Sequence, residues 1–178
     1  KILTVAVCAY NMEDYLGEAL ESCMIPSVDK IEVLIMNDGS TDHTEDIANT
    51  FCDRNPETFR LVTKPNGGWG SNVNLATQLA TGKYFRILDA DDWFDDDTTI
   101  TSMVYVLNNH PEYSCVRVMA NYVDEITMTK TPIAIQNKSK EDLFEDFYYW
   151  NNNIWAPAGS HMIRTAKLFS ELTDRSIF

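Results

Sequence analysis

Residues 31–54 read Ile-Glu-Val-Leu-Ile-Met, then Asn-Asp-Gly-Ser-Thr-Asp, then His-Thr-Glu-Asp-Ile-Ala-Asn-Thr-Phe-Cys-Asp-Arg. The first six form an apolar run of strand length. The last stretch predicts a helix over 42–54, with Ile47, Ala48, Phe51 and Cys52 on one face and Ser40 or Thr41 as its N-cap. A polar turn joins the two. The same rhythm extends both ways. Residues 2–9 read as a fully buried strand, followed by helical spacing of Tyr15, Leu16, Ala19, Leu20 and Cys23. Downstream come a short strand at 60–63, a glycine-rich loop at 66–70 and a helix over 71–80. A strand at 84–88, a helix marked by Ile100, Met103, Val104 and Leu107, and a strand at 114–120 complete the series. Such alternation predicts an α/β fold, a Rossmann-like, mainly parallel sheet with helices on both faces.

The rhythm weakens after residue 121. Residues 121–136 suggest a hairpin or irregular strands, 140–150 an aromatic and acidic helix, and 165–172 a last helix. The whole reads as one structural domain, with residues 1–120 as one half and 121–178 as the start of a second. The chain stops at Ile177-Phe178 with no closing element, so the parent protein is expected to continue.

The 178 residues carry 14 Lys and Arg against 27 Asp and Glu, a formal net charge of −13. That argues against binding a nucleic-acid polymer or an anionic membrane patch. No apolar run approaches the roughly 18 residues of a membrane span. Cys8, Cys23, Cys52 and Cys115 lack the close spacing of a zinc site and sit within apolar patterns. They read as reduced thiols, which implies a cytoplasmic location.

In an open parallel sheet, ligands bind beyond the carboxyl ends of the strands. Four successive strands deliver polar or glycine-rich segments to that edge: residues 9–13, 37–42, 66–70 and 89–92. Turn composition alone explains any one of these, but it explains the acidic cluster poorly. Six of the nine residues from Asp89 to Asp97 are Asp. Asp95, Asp96 and Asp97 precede a helix, whose N-terminus favours carboxylates. Asp89 and Asp91 lie at the strand end, where two carboxylates repel unless a proton or cation sits between them. A hard divalent ion, Mn²⁺ or Mg²⁺, satisfies both. Other motif readings fail on spacing. An EF-hand opening at Asp89 meets Phe94 and Ile100 where Gly and Glu belong. Residues 68–72 have no P-loop Lys, and Val73 replaces the third glycine of a dinucleotide fingerprint.

Five segments together, Ala9-Tyr10-Asn11, Asn37-Asp38-Gly39-Ser40-Thr41-Asp42, Asn66-Gly67-Gly68, Ala80-Thr81-Gly82-Lys83-Tyr84 and Leu88-Asp89-Ala90-Asp91-Asp92, resemble the nucleotide-sugar half of family 2 glycosyltransferases, which have the GT-A fold. The resemblance is close over residues 2–120 and loose beyond. It implies that Asp38 accepts a hydrogen bond from N3–H of uracil or thymine. Ala9, Tyr10, Asn11 and Glu13 would line the base and ribose. Asn66 and Gly68 would sit beside the nucleotide, with Asp89 near the ribose and Ala90 among the nucleotide-sugar-binding residues. Asp91, with Asp89 beside it, would hold the metal that bridges the diphosphate. One position departs: the family often carries Arg where Val73 stands. Lys64, the nearest replacement cation, is expected on a solvated strand edge.

The implied reaction is inverting transfer of a sugar from a UDP- or dTDP-sugar to a saccharide or lipid-linked acceptor hydroxyl, in bacterial surface polysaccharide or glycolipid synthesis. A peripheral place at the inner face of the membrane fits that role. No general base is assigned. Glu141-Asp142 and Glu145-Asp146 read as a solvated helix face, Tyr148, Tyr149, Trp150 and Trp155 as buried aromatics, and His161 as structural. The alternative is a nucleotide-sugar binding module without turnover. A nucleotidyltransferase needs a glycine-rich basic loop after the first strand, and residues 9–13 hold neither Gly nor Lys.

Overall fold

A computed structural model describes residues 1–132, apart from 27, 29, 114, 118–120 and 125, together with 161–164. In chain order the elements are β1 (Leu3–Ala9), α1 (Leu16–Ser22), β2 (Ile31–Asn37), α2 (Thr44–Arg54), β3 (Phe59–Thr63), α3 (Trp69–Leu79), β4 (Tyr84–Asp89), α4 (Asp97–Asn109), β5 (Cys115–Arg117), β6 (Asn121–Val123), β7 (Lys130–Pro132) and β8 (His161–Arg164). The main sheet runs β3-β2-β1-β4-β8-β5. β3, β2, β1 and β4 are parallel, whereas β8 runs antiparallel to both β4 and β5. β6 and β7 form a separate antiparallel pair.

Side-chain alternation along β1 explains the layers. Leu3, Val5, Val7 and Ala9 pack with Leu16 and Leu20 of α1, Ala48 and Phe51 of α2, and Ile100 and Met103 of α4. Ala6 and Cys8 face the other way, against Val73 and Ala76 of α3. The helices therefore cover both faces, as the apolar runs predict. The chain steps outward from β1 through β2 to β3, then returns across the opposite face through α3 to β4. The strand order reverses between β1 and β4, which opens a crevice at their carboxyl ends.

At the other edge of the sheet, the Thr81-Gly82 turn fastens β4 to its neighbours. Thr4 Oγ1 donates to Glu32 Oε2 at 2.7 Å and accepts from Gly82 N at 2.9 Å, while Thr81 N donates to Glu32 Oε2 at 3.0 Å. A Cβ on Gly82 would lie 2.4 Å from Thr4 N and 2.6 Å from the Leu3 carbonyl carbon. This motif belongs to folding, far from the strand tips. Gly82→Ala is expected to destabilise the protein by about 2 kcal/mol, because backbone must move to admit the methyl. Urea unfolding of the variant measures this, and an unchanged midpoint would contradict it.

Several boundaries differ from the sequence reading. Neither Ser40 nor Thr41 caps α2; the N-cap is His43. Ser40 Oγ instead accepts from Asn11 N at 3.0 Å, and Thr41 N donates to Asn11 Oδ1 at 2.8 Å. α3 starts two residues early, at Trp69, because Gly68 turns the chain at φ +81°. Asp96 is the N-cap of α4, accepting from Thr99 N at 3.1 Å, and Asp97 opens its first turn. Asp95 pairs instead with Lys130 of β7. The expected strand at 114–120 is described as Cys115–Arg117. β8 was not expected: His161–Arg164 slots between β4 and β5, where long-range pairing outweighs weak local signal. The helices expected over 140–150 and 165–172 lie outside the described residues.

Candidate active site

A cleft of about 430 Å³ opens at the crevice between β1 and β4. β1 and the loop after it supply Cys8, Ala9, Tyr10 and Met12; the loop after β2 supplies Asp38. The first turn of α3 contributes Trp69 and Asn72, and the end of β4 contributes Asp89, Ala90 and Asp91. Six expected site residues, Ala9, Tyr10, Asp38, Asp89, Ala90 and Asp91, thus meet in one cavity. The physical cause is the parallel topology, which brings consecutive strand ends to one edge.

The other four expected residues stand around the cleft rather than in its lining. Asn11, at φ 52°, takes up the bonds to Ser40 and Thr41 described above. Glu13 Oε2 accepts from His43 N at 2.9 Å, and Glu13 N donates to Asp42 Oδ2 at 3.1 Å. These contacts zip the loop after β1 to the loop after β2. Asn66 is exposed. Gly68 acts through its backbone: its N–H donates to Asp38 Oδ2 at 2.8 Å, beside Gly67 N to Asp38 Oδ1 at 2.9 Å.

Asp38 is the hub of this corner. Lys64 Nζ also donates to Asp38 Oδ1. The expectation of a solvated Lys64 is overturned: its side chain is 15% exposed and that of Asp38 4%. The reason is electrostatic, since a buried carboxylate draws in the nearest cation. Burial pushes the Asp38 carboxyl up, but the Lys64 hydrogen bond, the Gly67 and Gly68 amides and the Lys64 charge together hold it below the usual 3.8. Asp38 is therefore ionised at neutral pH. A carboxylate offers about four lone-pair positions, so one on Oδ2 remains for a ligand.

Charge crowds at the end of β4. Burial raises the Asp89 carboxyl, the Trp69 hydrogen bond lowers it and Asp91 raises it, for a net rise above 3.8. Burial, then Asp89 and Asp91, push Asp92 up to about 6 against the opposing charge of Arg86. Raised carboxyls bind protons more readily in the folded state, so their stability contribution grows as pH falls and is lost as it rises through about 6. In a chelator, the thermal midpoint is expected to rise between pH 7.5 and about pH 5. A differential scan checks this, and a falling midpoint over that window would contradict it.

Among the described residues no group of three or more His, Cys, Asp and Glu side chains is arranged to hold a metal ion by itself. The donor set nevertheless fits Mn²⁺ or Mg²⁺, which commonly take one or two carboxylates and complete their shell with phosphate oxygens and water. Asp91 is exposed to the cleft, and Asp89 carries one oxygen not bonded to Trp69.

Sequence reasoning missed Trp69, Asn72, Cys8 and Met12 as lining residues. Trp69 and Asn72 are three apart on one helix face, a signal hidden by starting that helix at Ser71. Val73 turns away into the core beside Ala6 and Met36. His161 lies in β8 opposite Arg117. Glu141, Asp142, Glu145, Asp146, Tyr148, Tyr149, Trp150 and Trp155 lie outside the described residues.

The family model "Glycosyl transferase family 2" matches residues 4–173. The chain belongs to this family. An uncharacterised glycosyltransferase of Mycoplasma pneumoniae is 40% identical over 97 residues, 52% of this chain and 32% of that protein. A chondroitin synthase of Pasteurella multocida is 38% identical over 96 residues, 54% of this chain and 10% of that protein. Among solved structures, residues 1–349 of Staphylococcus aureus TarS in complex with UDP-GlcNAc match with a TM-score of 0.69 at 21% identity, over 96% of this chain and 47% of that one. The mannosyltransferase PcManGT of Pyrobaculum calidifontis, solved with GDP-Man and Mn²⁺, gives 0.67 at 22% identity, over 96% and 46%. The fold is therefore GT-A. The chain spans about half the length of these solved relatives and a third or less of these two curated ones. Among the described residues no helix is long and apolar enough to cross a membrane.

Proposed function

We propose that this chain binds a nucleoside-diphosphate sugar, UDP- or dTDP-linked, and serves inverting transfer of that sugar to an acceptor hydroxyl. The observation that carries the reading is the meeting of Asp38, Asp89 and Asp91 in one cleft at the point where the strand order reverses. The free position on Asp38 Oδ2 suits an imide N–H such as N3–H of uracil. Asp89 lies one strand beyond β1, within the same cleft, where the ribose would follow the base. Asp91, with Asp89 beside it, would hold Mn²⁺ or Mg²⁺. When bound, the cation would offset the repulsion between diphosphate and Asp cluster and stabilise the leaving nucleoside diphosphate.

In the transfer, the acceptor oxygen bonds to the anomeric carbon as the bond from that carbon to the phosphate oxygen breaks. The hydroxyl proton passes to a base not assigned among the described residues. Residues 121–178 are read as the start of an acceptor-binding half. Bacterial surface polysaccharide or glycolipid synthesis, at the cytoplasmic face of the membrane, fits relatives such as the chondroitin synthase. A second reading, donor binding without turnover, is favoured by one observation: Val73, where the family often has Arg, is buried in the core and brings no cation to the cleft.

The test is a thermal-shift panel of UDP-, dTDP-, GDP- and CDP-sugars with Mn²⁺. Stabilisation by the uracil and thymine compounds supports the assignment. A preference for GDP- or CDP-sugars would overturn the role given to Asp38.

A further inference from the structure

Trp69 stands at a junction. Its indole Nε1–H donates to Asp89 Oδ1 at 2.8 Å, and both residues line the cleft. The residue just before it, Gly68, donates its backbone N–H to Asp38 Oδ2 at 2.8 Å. Two adjacent residues, the N-cap and the first residue of α3, thus tie the carboxylate after β2 to the carboxylate at the end of β4, across β1. The helix that carries Trp69 is locked in turn by Asn72, whose Nδ2 donates to the Met36 carbonyl at 3.2 Å. Trp69 is a wide, stiff side chain with a single donor, so its bond to Asp89 has one geometry.

We infer that Trp69 is a positioning residue: its indole N–H fixes the Asp89 carboxylate at a set spacing from Asp38, so that Asp89 meets the ribose hydroxyls of a nucleotide held at Asp38. This rests on the proposed reading of the cleft as a nucleotide site. With Oδ1 taken by the indole, Asp89 Oδ2 is the oxygen left for a ligand in the cleft. A stacking role for the indole is the rival. Loss of stacking would weaken ligands with and without ribose hydroxyls alike, as would any change felt through the cation, whereas loss of positioning of Asp89 against the ribose falls on the ligand that carries the hydroxyls.

The experiment compares UDP with 2′,3′-dideoxy-UDP by calorimetry in Mn²⁺, for wild type, Trp69→Phe and Trp69→His. Phe keeps an aromatic wall and removes the donor; His restores a ring N–H. The expected result is that Trp69→Phe weakens UDP binding about tenfold more than it weakens binding of the dideoxy ligand, with recovery in Trp69→His. Equal weakening for both ligands, or none for either, would overturn the inference. Wild type binding both ligands alike would remove the ribose contact of Asp89 and the inference with it. No binding of UDP by wild type would instead sink the proposed function. If Trp69→Phe does not fold, the indole N–H resonance of ¹⁵N-labelled wild type, assigned by its absence from Trp69→His, decides. It should shift further on adding UDP than on adding the dideoxy ligand, and the same response to both would count against the inference.

Discussion

Asp91→Asn is expected to leave the fold intact and to lower Mn²⁺-dependent UDP affinity and sugar transfer by about a hundredfold. The substitution is isosteric and the side chain is exposed, so no packing is lost. It removes one of the two carboxylates the cleft offers a cation and replaces a charged oxygen ligand with a neutral amide, which hard divalent ions bind weakly. Losing even the outer partners of a metal site commonly costs 10–100-fold in affinity, so loss of a direct ligand belongs at or above that range. Stability should stay level or rise slightly in a chelator, because Asp91 helps to raise both Asp89 and Asp92. Calorimetry with UDP and Mn²⁺ and a sugar-transfer assay measure the effect. A variant with wild-type affinity in Mn²⁺ would remove Asp91 from the metal.

Lys64→Met should act on stability instead. Met matches the length of the stem but leaves the buried Asp38 carboxylate without its cation, with only the Gly67 and Gly68 amides to hold it. Breaking a pair this buried is expected to destabilise by about 2–3 kcal/mol, a loss of about 5–10 °C in Tm for a chain of this size. The pH dependence follows from the lowered Asp38 carboxyl. A carboxyl lowered by folding contributes stability that is present above the unfolded value of 3.8 and lost as pH falls through the folded value. The deficit of the variant is therefore full at pH 7 and narrows in acid, as Asp38 takes a proton in the folded protein and no longer pairs. Thermal unfolding of both proteins from pH 3 to 7 tests this. A deficit that does not change with pH would mean that Lys64 contributes packing, not charge.

The parallel core was readable because its signal is local. Residues 3–9 and 31–37 are apolar and strand-length, and the structure buries both along their full length. Asp38, Asp89 and Asp91 were readable for a topological reason: once the strands are parallel, their ends share an edge. What the sequence hid depends on contacts between distant loops. Nothing local to Asn11 and Glu13 announces that they bond to Ser40, Thr41 and His43 of the next loop. Lys64 looks like a surface charge until the chain closes over Asp38, 26 residues earlier. β8 has too little local pattern to announce itself, and only its pairing with β4 and β5 makes it a strand. Gly82 belonged to the family pattern for a reason of packing rather than chemistry.

The most direct measurement of the central claim is calorimetry of UDP binding to the unmodified protein, once with Mn²⁺ and once with a chelator. The cleft brings Asp38, Asp89 and Asp91 together, and in the proposed reading the diphosphate would lie beside the crowded Asp89 and Asp91. Each unit-charge pair at 4 Å is worth on the order of 4 kcal/mol at an effective dielectric of 20, so the anion needs a bridging cation. The expected result is at least about tenfold tighter binding with Mn²⁺. Equal affinity in both solutions would contradict the claim that acidic strand tips hold a nucleoside diphosphate through a divalent ion.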